Sequence, residues 1–267
     1  MAQNGIAELS GARLAWWTDG DGDGDGDPLV LVHAGVADAR MWEPVLPALA
    51  AAHRVVRYDM RGFGATRTEP GSFSHAGDLC ALLDTLGVER AHVVGASFGG
   101  QVALETAATA PARVASLVLL AAALPDIEPS PRLLAFAEAE ESAIAVGRID
   151  KAVEVNVRMW AQHSTPEVQA LVADMQRIAF ELQLREDADW DDLEPPVSAR
   201  LGDITVPVTV AFGDGDVGDF EQVARRLDAA LPDATLHEVT GAGHLLALDQ
   251  PEAVTQLILR HLDGART

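Results

Sequence analysis

Ala91-His92-Val93-Val94-Gly95-Ala96-Ser97-Phe98-Gly99-Gly100-Gln101-Val102-Ala103-Leu104 decides the fold. Its first five residues form a mostly apolar run, as in a strand buried on both faces of a sheet. From Phe98 onward it reads as a helix, which Pro111 closes. Between the two lies Gly95-Ala96-Ser97-Phe98-Gly99, a G-x-S-x-G sequence at a strand-to-helix turn. A serine in so sharp a turn is held in strained backbone geometry and needs small neighbours. Gly95, Gly99 and Gly100 supply them. The helix that starts there points its free N–H groups at developing negative charge. Ser97 is therefore the candidate nucleophile, and the N–H of Phe98 a candidate oxyanion donor.

The same rhythm extends in both directions. Strands are predicted at 6–9, 13–18, 29–32, 54–58, 91–95, 114–120, 206–212 and 235–239. Helices are predicted at 40–52, 72–86, 98–110, 220–230 and 251–262. Alternating buried strands and helices indicate an α/β fold, a doubly wound, mostly parallel eight-stranded sheet. The alternation stops after Leu124. Residues 125–200 carry helical patterns at 132–146, 150–163 and 166–185, a short turn near Trp190, and no convincing strand. We read 1–124 and 201–267 as the core, and 125–200 as an inserted helical cap. Phe136, Met159, Trp160, Met175 and Phe180 make this insertion too apolar to be disordered.

A serine hydroxyl needs a base. Gly241-Ala242-Gly243-His244 follows the last strand, and its glycines let a histidine loop reach back over the strand ends. His33 ends a strand near the serine, where a structural role is expected. His53, His75, His92, His163, His237 and His261 lie in helical or strand patterns. His244 is the candidate base, and the order Ser…Asp…His fits. Its carboxylate partner is expected after the buried strand 206–212, in Phe212-Gly213-Asp214-Gly215-Asp216. Asp216 is the choice, Asp214 the rival, and Asp126, just past the strand 114–120, a third option. A second oxyanion donor is expected from His33-Ala34-Gly35-Val36, with Gly35 ahead of Ala34. Ala34, Val36, Trp160 and Phe136 are candidate substrate contacts.

Composition narrows the partners. The chain has 267 residues, 41 acidic and 19 basic, and a formal net charge of −22. That balance argues against nucleic acid and against an anionic membrane surface. Lys151 is the only lysine and sits in an ordinary helical pattern, which argues against Schiff-base chemistry. Cys80 is the only cysteine, so neither an intrachain disulfide nor a cysteine zinc cluster can form. With no signal peptide or membrane span in the sequence, a cytoplasmic monomer or homodimer is expected, acting on a small molecule without metal or cofactor. Residues 19–27 alternate Asp and Gly. Asp at every second position resembles the start of a calcium loop, but no closing Glu follows, since Val30 and Val32 stand eleven residues after Asp19 and Asp21. We read it as an acidic hairpin loop, and the acid excess as a feature of the surface.

Leu31-Val32-His33-Ala34-Gly35, Tyr58-Asp59-Met60-Arg61-Gly62-Phe63-Gly64, the turn around Ser97, Gly213-x-x-Asp216 and Gly243-His244 together resemble the α/β-hydrolase family over nearly the whole chain. Members often carry His-Gly where this chain has His33-Ala34, and the next residue donates the second oxyanion N–H. The resemblance implies that role for Gly35, an architectural role for the segment 59–64, and a helical cap at 125–200. It implies a serine hydrolase cleaving a small or medium acyl ester or lactone through an acyl-enzyme. Serine at the nucleophile position argues against dehalogenase and epoxide-hydrolase chemistry. Carbon–carbon bond hydrolysis, haloperoxidase-like perhydrolysis and a small-molecule receptor with slow hydrolysis are the alternatives.

Overall fold

The protein is represented by a computed structural model that describes residues 3–20, 26–186 and 188–265. Its strands are β1 (Gln3–Leu9), β2 (Ala12–Asp19), β3 (Leu29–Val32), β4 (Val55–Tyr58), β5 (Arg67–Thr68), β6 (Gly71–Phe73), β7 (Ala91–Ala96), β8 (Val114–Leu120), β9 (Ala188–Trp190), β10 (Val208–Gly213) and β11 (Ala234–Val239). Its α-helices are α1 (Leu46–Ala50), α2 (His75–Thr85), α3 (Phe98–Thr109), α4 (Pro131–Ala145), α5 (Ile149–Trp160), α6 (Pro166–Gln183), α7 (Gly218–Ala230), α8 (Leu246–Asp249) and α9 (Pro251–Ala265).

The main sheet runs β1-β2-β4-β3-β7-β8-β10-β11, with the two-residue β5 paired to β2. All eight strands expected from the sequence are in it. β1 and β2 are antiparallel, and β2 is antiparallel to β4. From β4 through β11 every pair is parallel. Every residue of β3, β7 and β10 is buried, which is why these strands read as mostly apolar runs. The edge strand β11 instead presents exposed residues along its length.

The chain leaves β3 for β4 on one side and returns to β7 on the other, so the winding direction reverses between β3 and β7. The crevice beyond the carboxyl ends of strands at such a point is the usual ligand position of open α/β sheets. Ser97 follows β7, and the loop 33–36 follows β3, so both lie at that crevice.

Three expectations are corrected. The single helix expected at 40–52 is a 3-10 turn, Ala39–Trp42, and then the short α1. Pro44 lacks an N–H and so cannot carry the intrahelical bond that a continuous helix needs there, while Pro47 sits in the first turn of α1, where it is tolerated. The helix expected from residue 72 begins at His75, with Ser74 capping it by accepting the Gly77 N–H at 3.2 Å. The region read as free of strands contains β9, which pairs in parallel with β6 as a separate ribbon.

The helices α4, α5 and α6, which the chain inserts after β8 and before β10, pack on one another in sequence order. Thr165 and Ser130 cap α6 and α4, each followed by a proline at the first helical position. α6 reaches the core: Arg40 pairs with Asp174 at 2.8 Å, Met175 Sδ accepts the Asp38 N–H at 3.4 Å, and Gln183 donates to the Gly62 carbonyl at 3.3 Å. The 3-10 helix Val197–Asp203 returns beneath α3, where Val197 and Leu201 join the core cluster of Val102 and Leu104. Of the acidic stretch 19–27, residues 21–25 lie outside the described residues. Its flanks meet arginines, Asp19 with Arg57 and Asp27 with Arg90.

At the other end of the sheet, Ser116 Oγ lies 2.7 Å from His92 Nδ1 and 2.7 Å from His261 Nε2, while His261 Nδ1 meets Thr209 at 2.9 Å. These bonds tie α9 to β8 and β10. Burial, reinforced by His92, pushes the His261 imidazole down to about 4. The unfolded chain takes up that proton near the ordinary value of 6.5, before the fold does. Stability from this group is therefore complete above 6.5 and is lost as pH falls toward 4. Buried Asp59 and Asp78 are pushed up and act in the opposite sense, so a paired comparison isolates the histidine. The stability advantage of the wild type over His261→Gln should shrink between about pH 7 and about pH 4.5. Urea titrations of both proteins check this, and a pH-independent difference would contradict it.

Candidate active site

Ser97 has φ 52° and ψ −116°, a positive φ rare for a residue with a side chain. The packing around it enforces this. A Cβ on Gly95 would lie 2.3 Å from the Gly99 carbonyl oxygen, and one on Gly99 would lie 2.3 Å from that of Val32. The turn therefore closes only with glycine at both places. It leaves Ser97 directly before α3, with its own carbonyl accepting from Gly100 and Ala123.

His244 Nε2 lies 2.8 Å from Ser97 Oγ, and His244 Nδ1 lies 2.9 Å from Asp216 Oδ2. The carboxylate takes the Nδ1–H, so Nε2 is left to accept the serine proton. The imidazole is 3% exposed and the carboxylate 2%. The second oxygen of Asp216 accepts the Val217 N–H at 2.6 Å. The loops bearing acid and base pass in close contact: a Cβ on Gly213 would fall 2.3 Å from the Ala242 carbonyl oxygen.

The other two carboxylates are engaged elsewhere. Asp214 accepts the Gly241 N–H at 2.7 Å and so braces the histidine loop. Asp126 forms an exposed ion pair with Arg226 at 3.0 Å. His33 is fully buried, donates from Nδ1 to the Ala34 carbonyl and accepts the Met60 N–H at Nε2. Burial drives its imidazole below the ordinary value, in keeping with that neutral form. Asp59 accepts from Ala39 and Ala65, and Arg61 pairs with Asp78 at 2.6 Å and reaches the Ser10 and Gly11 carbonyls. The segment 59–64, which follows β4, thus ties the β1–β2 turn to α2.

Of the two possible loop donors, the Ala34 N–H is directed at Met41 Sδ, 3.3 Å away. The Gly35 N–H has no acceptor among the described residues. Gly35 also touches Phe98, since a Cβ there would lie 3.5 Å from the Phe98 Cβ. The Phe98 N–H is the first of α3, where a helix offers no internal acceptor. Two free amides therefore sit on neighbouring residues beside Ser97.

The candidate substrate contacts separate. Ala34 is fully buried, and Val36 is partly buried against the same cluster. Trp160 is 8% exposed, with its ring 5.0 Å from Phe136, 5.7 Å from Phe220 and 4.5 Å from His244. Phe98 meets His75 at 5.1 Å and Trp190 at 6.0 Å. His75, Trp190 and Phe220 were not anticipated at the site; only their helical, turn or strand contexts are visible in sequence. Burial drives His75 down to about 3, so it packs as a neutral ring. Among the described residues, no group of three or more His, Cys, Asp or Glu could hold a metal ion, and no helix is long and apolar enough to cross a membrane.

Residues 29–257 match the sequence profile of the alpha/beta hydrolase family. The chain belongs to that family. It is an enzyme of the family, with the family's fold and a hydrogen-bonded Ser97, His244 and Asp216 at the expected crevice. Carboxylesterase YbfK of Bacillus subtilis (strain 168) is 27% identical, over 88% of this chain and 80% of that protein. A hydrolase from Pseudomonas aeruginosa PA01 superposes with a TM-score of 0.78 at 26% identity, over 97% of this chain and 98% of that one. A shorter match, 42% identical, joins 44% of this chain to 32% of a dihydrolipoyllysine-residue acetyltransferase component of an acetoin cleaving system from Pseudomonas putida.

Proposed function

We propose that this alpha/beta hydrolase is a serine esterase that cleaves a small or medium acyl ester or lactone through an acyl-enzyme. The observation that carries the reading is the unbroken line Ser97–His244–Asp216, with bonds of 2.8 Å and 2.9 Å. Ser97 adds to the substrate carbonyl while His244 Nε2 takes its proton. The N–H groups of Phe98 and Gly35 receive the oxyanion. His244 returns the proton to the leaving alkoxide, the bond to it breaks, and the acyl group remains on Ser97. Water, deprotonated by His244, then releases the acid. Asp216 holds the imidazole in the required tautomer and stabilises the imidazolium.

The resemblance to a carboxylesterase over most of the chain supports ester bonds as the target. We take residues 125–200 as a cap that encloses a small substrate, and the setting as cytoplasmic, in keeping with the single free thiol of Cys80. A panel of nitrophenyl esters of graded acyl length, lactones and vinylogous diketones tests the substrate class. Turnover of short esters or lactones is the expected result. Turnover of diketones alone would replace the reading with carbon–carbon bond hydrolysis. Tight binding without turnover would replace it with a receptor.

A further inference from the structure

The C-terminal end of α5 touches both catalytic loops, and at more than one point. Trp160, the last residue of α5, places its ring 4.5 Å from the His244 imidazole. Phe220, in the first turn of α7, lies 4.2 Å from the same imidazole and 5.7 Å from Trp160. These separations bring the two aromatic rings to the imidazole from directions about a right angle apart, so they form a corner into which it fits. His163 packs against both glycines beside the acid and the base. A Cβ on Gly215 would lie 3.3 Å from its ring, and one on Gly243 would lie 3.4 Å from its Cβ. Ser164 Oγ donates to Asp249 Oδ1 at 2.5 Å, and Asp249 Oδ2 accepts the Gly243 N–H at 2.9 Å.

We infer that residues 160–164 of the insertion are a positioning element for the base, acting with Phe220. This rests on the proposal that His244 is the base for Ser97. The imidazole exchanges one proton with Ser97 and then with the leaving group, so its Nε2 must stay aimed at one small region. Asp216 fixes one ring edge. The Trp160–Phe220 corner blocks tilt and swing about that bond, and its rings, tilted against the imidazole at 4.5 Å and 4.2 Å, lie within the range at which an aromatic ring attracts a cation such as the imidazolium of the transition state. The Ser164–Asp249–Gly243 bonds hold the loop from which the imidazole projects. The base is therefore complete only when α5 is seated on the core, which makes the insertion part of the catalytic apparatus as well as a cover.

The test compares wild type, Trp160→Leu, Trp160→Phe, Phe220→Leu and Ser164→Ala. It measures labelling of Ser97 by a fluorophosphonate, steady-state hydrolysis of a nitrophenyl ester, and melting temperature. Trp160→Leu and Phe220→Leu should lower the labelling rate and kcat about tenfold with KM unchanged, and Trp160→Phe should restore most of the loss. Ser164→Ala, which removes a single hydroxyl, should lower kcat about threefold even if the aromatic variants prove unstable. A raised KM with unchanged kcat and labelling would make Trp160 a substrate wall and overturn the inference, as would unchanged kcat in Ser164→Ala. A wild type that is neither labelled nor active would overturn the esterase reading itself and this inference with it. A labelled wild type with equally reactive variants would overturn this inference alone.

Discussion

Ser97→Ala should lower kcat for a nitrophenyl ester by about 10⁴- to 10⁶-fold while leaving the melting temperature close to that of the wild type. The loss is this large because no second nucleophile stands in the arrangement. Cys80 lies in α2, half-buried, with its thiol driven up by burial, and Lys151 is engaged with Glu154 on α5. The fold should survive because alanine meets the same backbone demand at φ 52° that serine does. The side chain removed makes one bond to a neighbouring side chain, the one to His244. Steady-state kinetics with thermal denaturation separates the two effects. Substantial turnover in this variant would remove Ser97 from the mechanism.

The second large effect belongs to the carboxylate. Asp216→Asn should lower kcat by about 10³- to 10⁴-fold. The amide is nearly isosteric, so geometry is kept. If its N–H faces His244 Nδ1, that nitrogen becomes the acceptor and the proton moves to Nε2. The nitrogen facing Ser97 Oγ then cannot accept the serine proton. Asp214→Asn keeps an oxygen for the Gly241 N–H, and Asp126→Asn gives up an exposed ion pair, which is worth about 1 kcal/mol or less, while keeping an oxygen for Ser198. Both should stay within a few-fold of wild type. A collapse of activity in Asp214→Asn with a mild effect in Asp216→Asn would reverse the assignment.

Much of this architecture was legible in the amino-acid order for a simple physical reason. Strands β3, β7 and β10 are buried on both faces, so they must be mostly apolar, and such runs between helical patterns stand out. The turn at Ser97 was legible because close backbone approach admits only glycine at 95 and 99. The β6–β9 ribbon was not. Each strand is three residues long, and Ala188-Asp189-Trp190 has no pattern of its own, so the ribbon exists only through pairing across more than a hundred residues. The break in the helix expected at 40–52 carried its signal openly in Pro44 and Pro47.

The site divides in the same way. The serine, histidine and aspartate sit in loops whose glycines and position after strands mark them. Neither Trp160 nor Phe220 carries such a mark. Both lie in amphipathic helices, where an aromatic residue on the buried face is ordinary packing, and only the superposition of α5 and α7 on the His244 loop brings the three rings together. Asp249 and Ser164 are separated by 85 residues and meet through the same superposition.

The acyl-enzyme can be observed directly. A nitrophenyl ester reaction quenched with acid during turnover, then digested and examined by mass spectrometry, should carry the acyl group on the peptide containing Ser97. The adduct should be absent from Ser97→Ala and should persist longer when water attack is slowed by His244→Ala after chemical acylation. An enzyme that turns over the ester with no acyl group on Ser97, or with one on another residue, would contradict covalent catalysis by this serine.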